Sequence, residues 1–83
     1  MTPDESRALV LKLLGDIAPE ADLKALKTDR PLREQIEIDS IDFLGLVTKI
    51  RKATGIDVPE TDYAKLDTLD RLVAYLASKT PKP

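Results

Sequence analysis

Ile36-Glu37-Ile38-Asp39-Ser40-Ile41-Asp42-Phe43-Leu44 decides the fold, because here an irregular polar stretch gives way to the most apolar helical run of the chain. Asp39 is a residue type that accepts a hydrogen bond from a backbone N–H two or three positions on, so it reads as an N-cap with the helix starting near Ser40. Asp42 adds negative charge to the first turn, where the helix dipole favours it. Leu44, Val47 and Ile50 read as one buried stripe flanked by Phe43, Leu46 and Ala53, with Ile41 and Thr48 nearer solvent. Lys49, Arg51 and Lys52 suit the C-terminal end, and Gly55 stops the helix. A serine at such a start stands beside unpaired backbone N–H groups and the positive end of the dipole, which together favour an anion such as a phosphate.

Upstream, Thr2-Pro3-Asp4-Glu5 reads as another helix start, with Thr2 as cap, Pro3 at the first helical position and Glu5 completing a capping box. Val10, Leu13, Leu14 and Ile17, with Leu9 beside them, follow helical spacing until Pro19 prevents continuation. Between Ala18 and Asp39 the pattern is irregular, but Leu23, Leu26, Leu32, Ile36 and Ile38 punctuate it. A structureless connection of that length is uncommon, so it is expected to lie pinned over the helices, with a helical turn near Asp22 to Lys27.

Downstream, Ile56-Asp57-Val58-Pro59 reads as an extended connector, since a proline disfavours helix at the residue before it. Tyr63 and Leu66 anchor a short helix from about Glu60 to Leu66. Thr68 caps a last helix whose stripe is Leu69, Leu72, Val73 and Leu76. Tyr63 and Tyr75 read as packing residues with hydrated hydroxyls. The expected fold is all-α: a small four-helix bundle of three main helices and one short helix, with a long first loop. Residues 1–79 form one domain, and residues 80–83 a disordered tail.

Composition restricts the chemistry. The chain of 83 residues contains no Cys and no His, so a catalytic cysteine, a histidine base and a His/Cys metal site are all excluded. Its core must rest on packed aliphatic side chains, and a domain this size buries only about 60% of its unfolded surface. The 15 acidic and 13 basic residues give a net charge of -2 and are interleaved, which argues against nucleic acid and against a polybasic membrane anchor. No apolar run approaches the roughly 20 residues of a membrane span, and the N-terminus lacks a signal-peptide pattern. A cytoplasmic monomer is expected. Asp39 and Asp42 could be viewed as paired catalytic carboxylates, but so small a chain does not enclose a substrate between them. No catalytic residue is expected.

The motifs resemble those of the acyl carrier proteins and their peptidyl and D-alanyl carrier relatives. Ile38-Asp39-Ser40-Ile41-Asp42-Phe43-Leu44 is similar to the Asp-Ser-Leu or Asp-Ser-Met signature heading the second main helix of that family. Gly55-Ile56-Asp57-Val58-Pro59 looks like its connector, and Leu66-Asp67-Thr68-Leu69 like the approach to its last helix. The resemblance spans nearly the whole chain. It implies that Ser40 carries a 4'-phosphopantetheine arm transferred from coenzyme A by a separate phosphopantetheinyl transferase. It further implies that Asp39, Ile41 and Asp42 take part in recognition, and that acyl-loading and acyl-processing enzymes are the other partners. A thiol-ended arm would let a chain without cysteine work in thioester chemistry.

The charge pattern departs from that family. Its fatty-acid carriers are strongly acidic along the second main helix, whereas here Lys49, Arg51 and Lys52 follow the signature. The resemblance is therefore best met by a carrier for a specialised lipid or secondary-metabolite pathway, with docking through Ile41, Asp42 and a mixed-charge surface. The alternative is a helical protein-interaction module of the same fold without the arm.

Overall fold

In the computed structural model, which describes residues 2–79, the first helix α1 (Pro3–Ile17) begins where its capping chemistry places it. The Glu5 N–H donates to Thr2 Oγ1 at 3.1 Å, and the Thr2 N–H donates to Glu5 Oε1 at 3.0 Å, closing the capping box. That second bond holds the Glu5 carboxyl below the usual carboxylate range. The helix ends at Ala18, just before Pro19, and the Ala18 N–H still donates to Leu14 O at 2.8 Å.

Two further helices complete the frame. A 15-residue helix runs over Ser40–Thr54, ended by Gly55 at φ 76°, a left-handed conformation that favours glycine. The last runs over Leu69–Ala77, its first turn closed by the Arg71 N–H donating to Thr68 Oγ1 at 3.1 Å. The first helix packs against both. Val10, Leu13 and Leu14 of the first helix share one hydrophobic core with Phe43, Leu46, Val47 and Ile50 of the second and Leu69, Leu72, Val73 and Leu76 of the last. Ile56 and Val58 bury the extended connector, and a 3-10 segment, Glu60–Lys65, leads to the buried Leu66. This is the expected arrangement of three main helices and one short one.

The long first loop is pinned, by main chain as well as by aliphatic side chains. Leu32 and Ile36 are buried, and the Leu32 N–H donates to Asp67 O at 2.8 Å while the Asp70 N–H donates to Thr28 O at 2.9 Å. These bonds hold the loop across the start of the last helix. Gln35 closes the loop on itself: Oε1 accepts from the Lys27 N–H at 2.6 Å, and Nε2 donates to Lys27 O at 2.8 Å and Arg30 O at 3.1 Å.

Two expectations are corrected and one is extended. The turn expected near Asp22 to Lys27 is present as a single turn of the i to i+3 kind: the Ala25 N–H donates to Asp22 O at 3.2 Å and the Leu26 N–H to Leu23 O at 3.4 Å, while Asp22 Oδ1 accepts from the Lys24 N–H at 3.2 Å. The loop's α-helical turn is a further one at Leu32–Gln35, directly after Pro31. Labelled in chain order, this turn is α2, Ser40–Thr54 is α3 and Leu69–Ala77 is α4. Leu44 does not belong to the buried stripe, nor does Ala53 flank it: both are exposed, because the buried face of α3 is Phe43, Leu46, Val47 and Ile50, and Leu44 lies one residue around from it. The Tyr75 hydroxyl, expected only to be hydrated, has a protein partner: it donates to Asp62 Oδ2 at 2.8 Å, tying α4 to the 3-10 segment. The proposed tail at residues 80–83 lies outside the described residues.

Candidate functional site

Ser40 is the first residue of α3 and is exposed. Its position is set by the residues on either side. The Asp42 N–H donates to Asp39 Oδ1 at 2.9 Å, and the Asp39 N–H donates to Asp42 Oδ2 at 3.1 Å, so the two carboxylates form a reciprocal capping box. The Asp42 N–H bond is the main cause holding the Asp39 carboxyl below its usual range. Each aspartate is thus engaged by the other's backbone, a geometry that stiffens the helix start and does not aim a general acid or base at Ser40.

Arg33 was not singled out by sequence reasoning. Its Nη2 donates to Ser40 Oγ at 3.5 Å, from α2 across the loop to α3. The only sequence signal would have been Pro31 ahead of Leu32-Arg33-Glu34, a proline followed by a residue run able to make one helical turn.

An open groove of about 770 Å³ lies beside Ser40, between α2, the start of α3 and the 3-10 segment. Ile38, Ile41, Leu44, Tyr63, Ala64 and Leu66 supply most of its apolar lining. The Tyr63 ring stands edge-on to Phe43, centroids 5.3 Å apart, which fixes one wall. Ile41 and Leu44 are 77% and 52% exposed and stand out as the large apolar side chains that face solvent among the described residues. Spaced three apart, they share one face of α3.

Of the residues expected to act in recognition, Ile41 projects fully, Asp39 is exposed and Asp42 is half-buried with one oxygen committed to the cap. Lys49, Arg51 and Lys52 are exposed along the second half of α3. The charged groups lining the groove among the described residues are Arg33, Glu60 and Asp67, and Asp67 accepts from Arg71 Nη1 at 3.1 Å. Among the described residues no group of His, Cys, Asp or Glu is placed to hold a metal ion, and no helix is long and apolar enough to cross a membrane.

A family model described as a phosphopantetheine attachment site matches residues 7–76, from the middle of α1 to the end of the α4 stripe. The chain belongs to the acyl carrier protein family. It is 30% identical over 73 residues to an acyl carrier protein of Campylobacter hominis, a match covering 88% of this chain and 86% of the relative. It is 32% identical over 57 residues to one of Lactobacillus johnsonii, covering 69% and 71% respectively. With one of Renibacterium salmoninarum the identity is 29% over 62 residues, covering 75% and 72%. Membership makes the chain a carrier, not itself a catalyst, and implies a covalently attached 4'-phosphopantetheine. That group supplies a terminal thiol on which acyl units are held as thioesters.

The site fits such a group. An exposed hydroxyl at the head of a 15-residue helix meets the needs of a phosphodiester, which gains from the helix dipole and first-turn N–H groups. A guanidinium stands within reach of the same oxygen, and an apolar groove opens beside it. The family also implies partners of two kinds, a phosphopantetheinyl transferase and enzymes that process the acyl cargo.

Proposed function

We propose that this carrier holds its 4'-phosphopantetheine on Ser40 and presents acyl or aminoacyl thioesters to the enzymes of a specialised lipid or secondary-metabolite pathway. The observation that carries the assignment is the exposure of the Ser40 hydroxyl at the capped, rigid start of α3. Among the described residues no base is hydrogen-bonded to Ser40, whose Oγ accepts from the always-protonated Arg33 while both neighbouring aspartates are turned to the cap. The transferase must therefore supply the base that takes the hydroxyl proton as the Oγ–P bond forms and the pyrophosphate of coenzyme A breaks, releasing its nucleotide half.

On this reading Asp39 and Asp42 hold the attachment point in place while Ile41 and Leu44 offer an apolar contact to partners. Lys49, Arg51 and Lys52 give the rest of α3 the opposite sign, which supports partners with acidic rather than basic docking faces. The carrier acts as a cytoplasmic monomer in this scheme.

Incubation with coenzyme A, magnesium and a broad-specificity transferase should add the mass of one phosphopantetheine, and Ser40→Ala should abolish the gain. No gain with several transferases would instead favour an interaction module that uses the Ile41 and Leu44 face without an arm.

A further inference from the structure

We infer that Arg33 binds the phosphodiester joining the arm to Ser40, so that the arm leaves α3 on the side of the groove. The inference rests on Ser40 as the attachment point. Arg33 is seven residues from Ser40 in sequence, and its Nη2 lies 3.5 Å from Ser40 Oγ, the oxygen that becomes the phosphate ester. A phosphodiester carries one negative charge over two terminal oxygens, each two bonds from that Oγ. The planar fork of an arginine matches such a pair of oxygens better than the point charge of a lysine does.

The guanidinium is free for the task. Arg33 makes no ion pair within 4.0 Å among the described residues, and one contact to Ser40 leaves most of its five N–H donors unspent. Among the described residues it is the one cation lining the groove, and the Asp67 carboxylate there is engaged by Arg71 at 3.1 Å. Around Ser40 the sequence is otherwise acidic, with Glu34, Glu37, Asp39 and Asp42 close by in the chain. A bound phosphodiester without Arg33 would face that negative field with the helix start alone to offset it.

The main chain that presents Arg33 is held in place. Leu32 and Ile36 on either side are buried, the Leu32 N–H is bonded to Asp67 O at 2.8 Å, and Gln35 ties the loop behind it. A clamp on so short a helix needs such external support, because one turn does not hold itself.

The test converts wild type, Arg33→Gln and Arg33→Lys fully to the arm-bearing form, checks each by intact mass, and compares it with its unmodified form by 15N and 31P NMR at low salt. In wild type, conversion should shift the Arg33 side-chain Nε–Hε signal and the amides of Leu32–Gln35. The 31P signal should move away from that of a free pantetheine phosphodiester and return toward it as salt is raised. Arg33→Gln should lose the amide and 31P shifts, and Arg33→Lys should retain part of them. Full mass gain with unmoved α2 amides in wild type, or with equal shifts in wild type and Arg33→Gln, overturns the clamp and leaves Ser40 as attachment point. Absence of any mass gain overturns both, and the mass spectrum alone tells the two failures apart.

Discussion

Leu44 and Leu46 sit two positions apart on α3 and have opposite surroundings: Leu46 is fully buried, while Leu44 is 52% exposed beside Ser40. Leu46→Ala should therefore cost about 2–5 kcal/mol, the range for emptying a core leucine site. Leu44→Ala should stay within about 0.5 kcal/mol, as a surface change does. Urea denaturation of the two variants checks the contrast, and equal costs would refute it. Periodicity did not separate these leucines because α3 carries apolar residues at 41, 43, 44, 46, 47, 50 and 53, nearly all round the helix. The face is chosen by where α1 lies, which the local sequence does not encode. Ser6 poses the reverse case, since it is fully buried in α1 and its Oγ has no hydrogen-bond partner among the described residues. Ser6→Ala removes an unpaired buried hydroxyl and improves helix propensity, so a gain of about 1 kcal/mol is expected. In a domain of this size that raises the melting temperature by about 4–8 °C. A lowered melting temperature would mean that the hydroxyl is satisfied in solution.

Helix starts were legible at the scale of the element because capping is local. Thr2 with Glu5, Asp39 with Asp42, and Thr68 with the Arg71 N–H each join residues three apart, a distance over which side-chain chemistry alone decides the outcome. The αL residue Gly55 was legible for the same reason. The α2 turn and its Arg33 were not, because both depend on contacts made across the fold. Gln35 is the clearest of these, since eight residues separate it from the Lys27 main chain that it grips in both directions. Gln35→Ala should leave the three main helices intact and loosen residues 27–35 selectively. The Lys27 amide should then exchange with solvent faster relative to amides within α1 and α3, as measured by hydrogen exchange. Uniform acceleration across all helices would show that Gln35 supports the whole core and not this loop. Because the same loop presents Arg33 to Ser40, such a variant should also weaken the contact of α2 with the attachment point.

For the whole molecule, stability has an acid limit and an alkaline limit that arise in different places. Glu5 and Asp39 both have folded-state pKa values below the usual carboxylate range, each held there mainly by a backbone N–H at a helix start. The unfolded chain therefore binds their protons first, so their contribution is complete above about pH 5 and is lost as the pH falls through their folded values. Tyr75 sets the other limit. Burial, and then its bond to Asp62, push its pKa up to about 12, so the folded state keeps a proton that the unfolded chain releases near pH 10. Its contribution is complete below that unfolded value and is lost as the pH rises toward 12. The carrier should thus melt at a nearly constant temperature over the middle range and fall away on both sides. Asp39→Asn keeps a capping oxygen but removes one titrating group, so it should flatten the acid side and leave the alkaline side unchanged. Tyr75→Phe should do the opposite, and it should also free the 3-10 segment that Tyr75 ties to α4 beside the groove. Thermal melts of the three proteins across pH at low ionic strength decide the matter. An acid side as steep in Asp39→Asn as in wild type would remove Asp39 from the account, and an unchanged alkaline side in Tyr75→Phe would remove Tyr75.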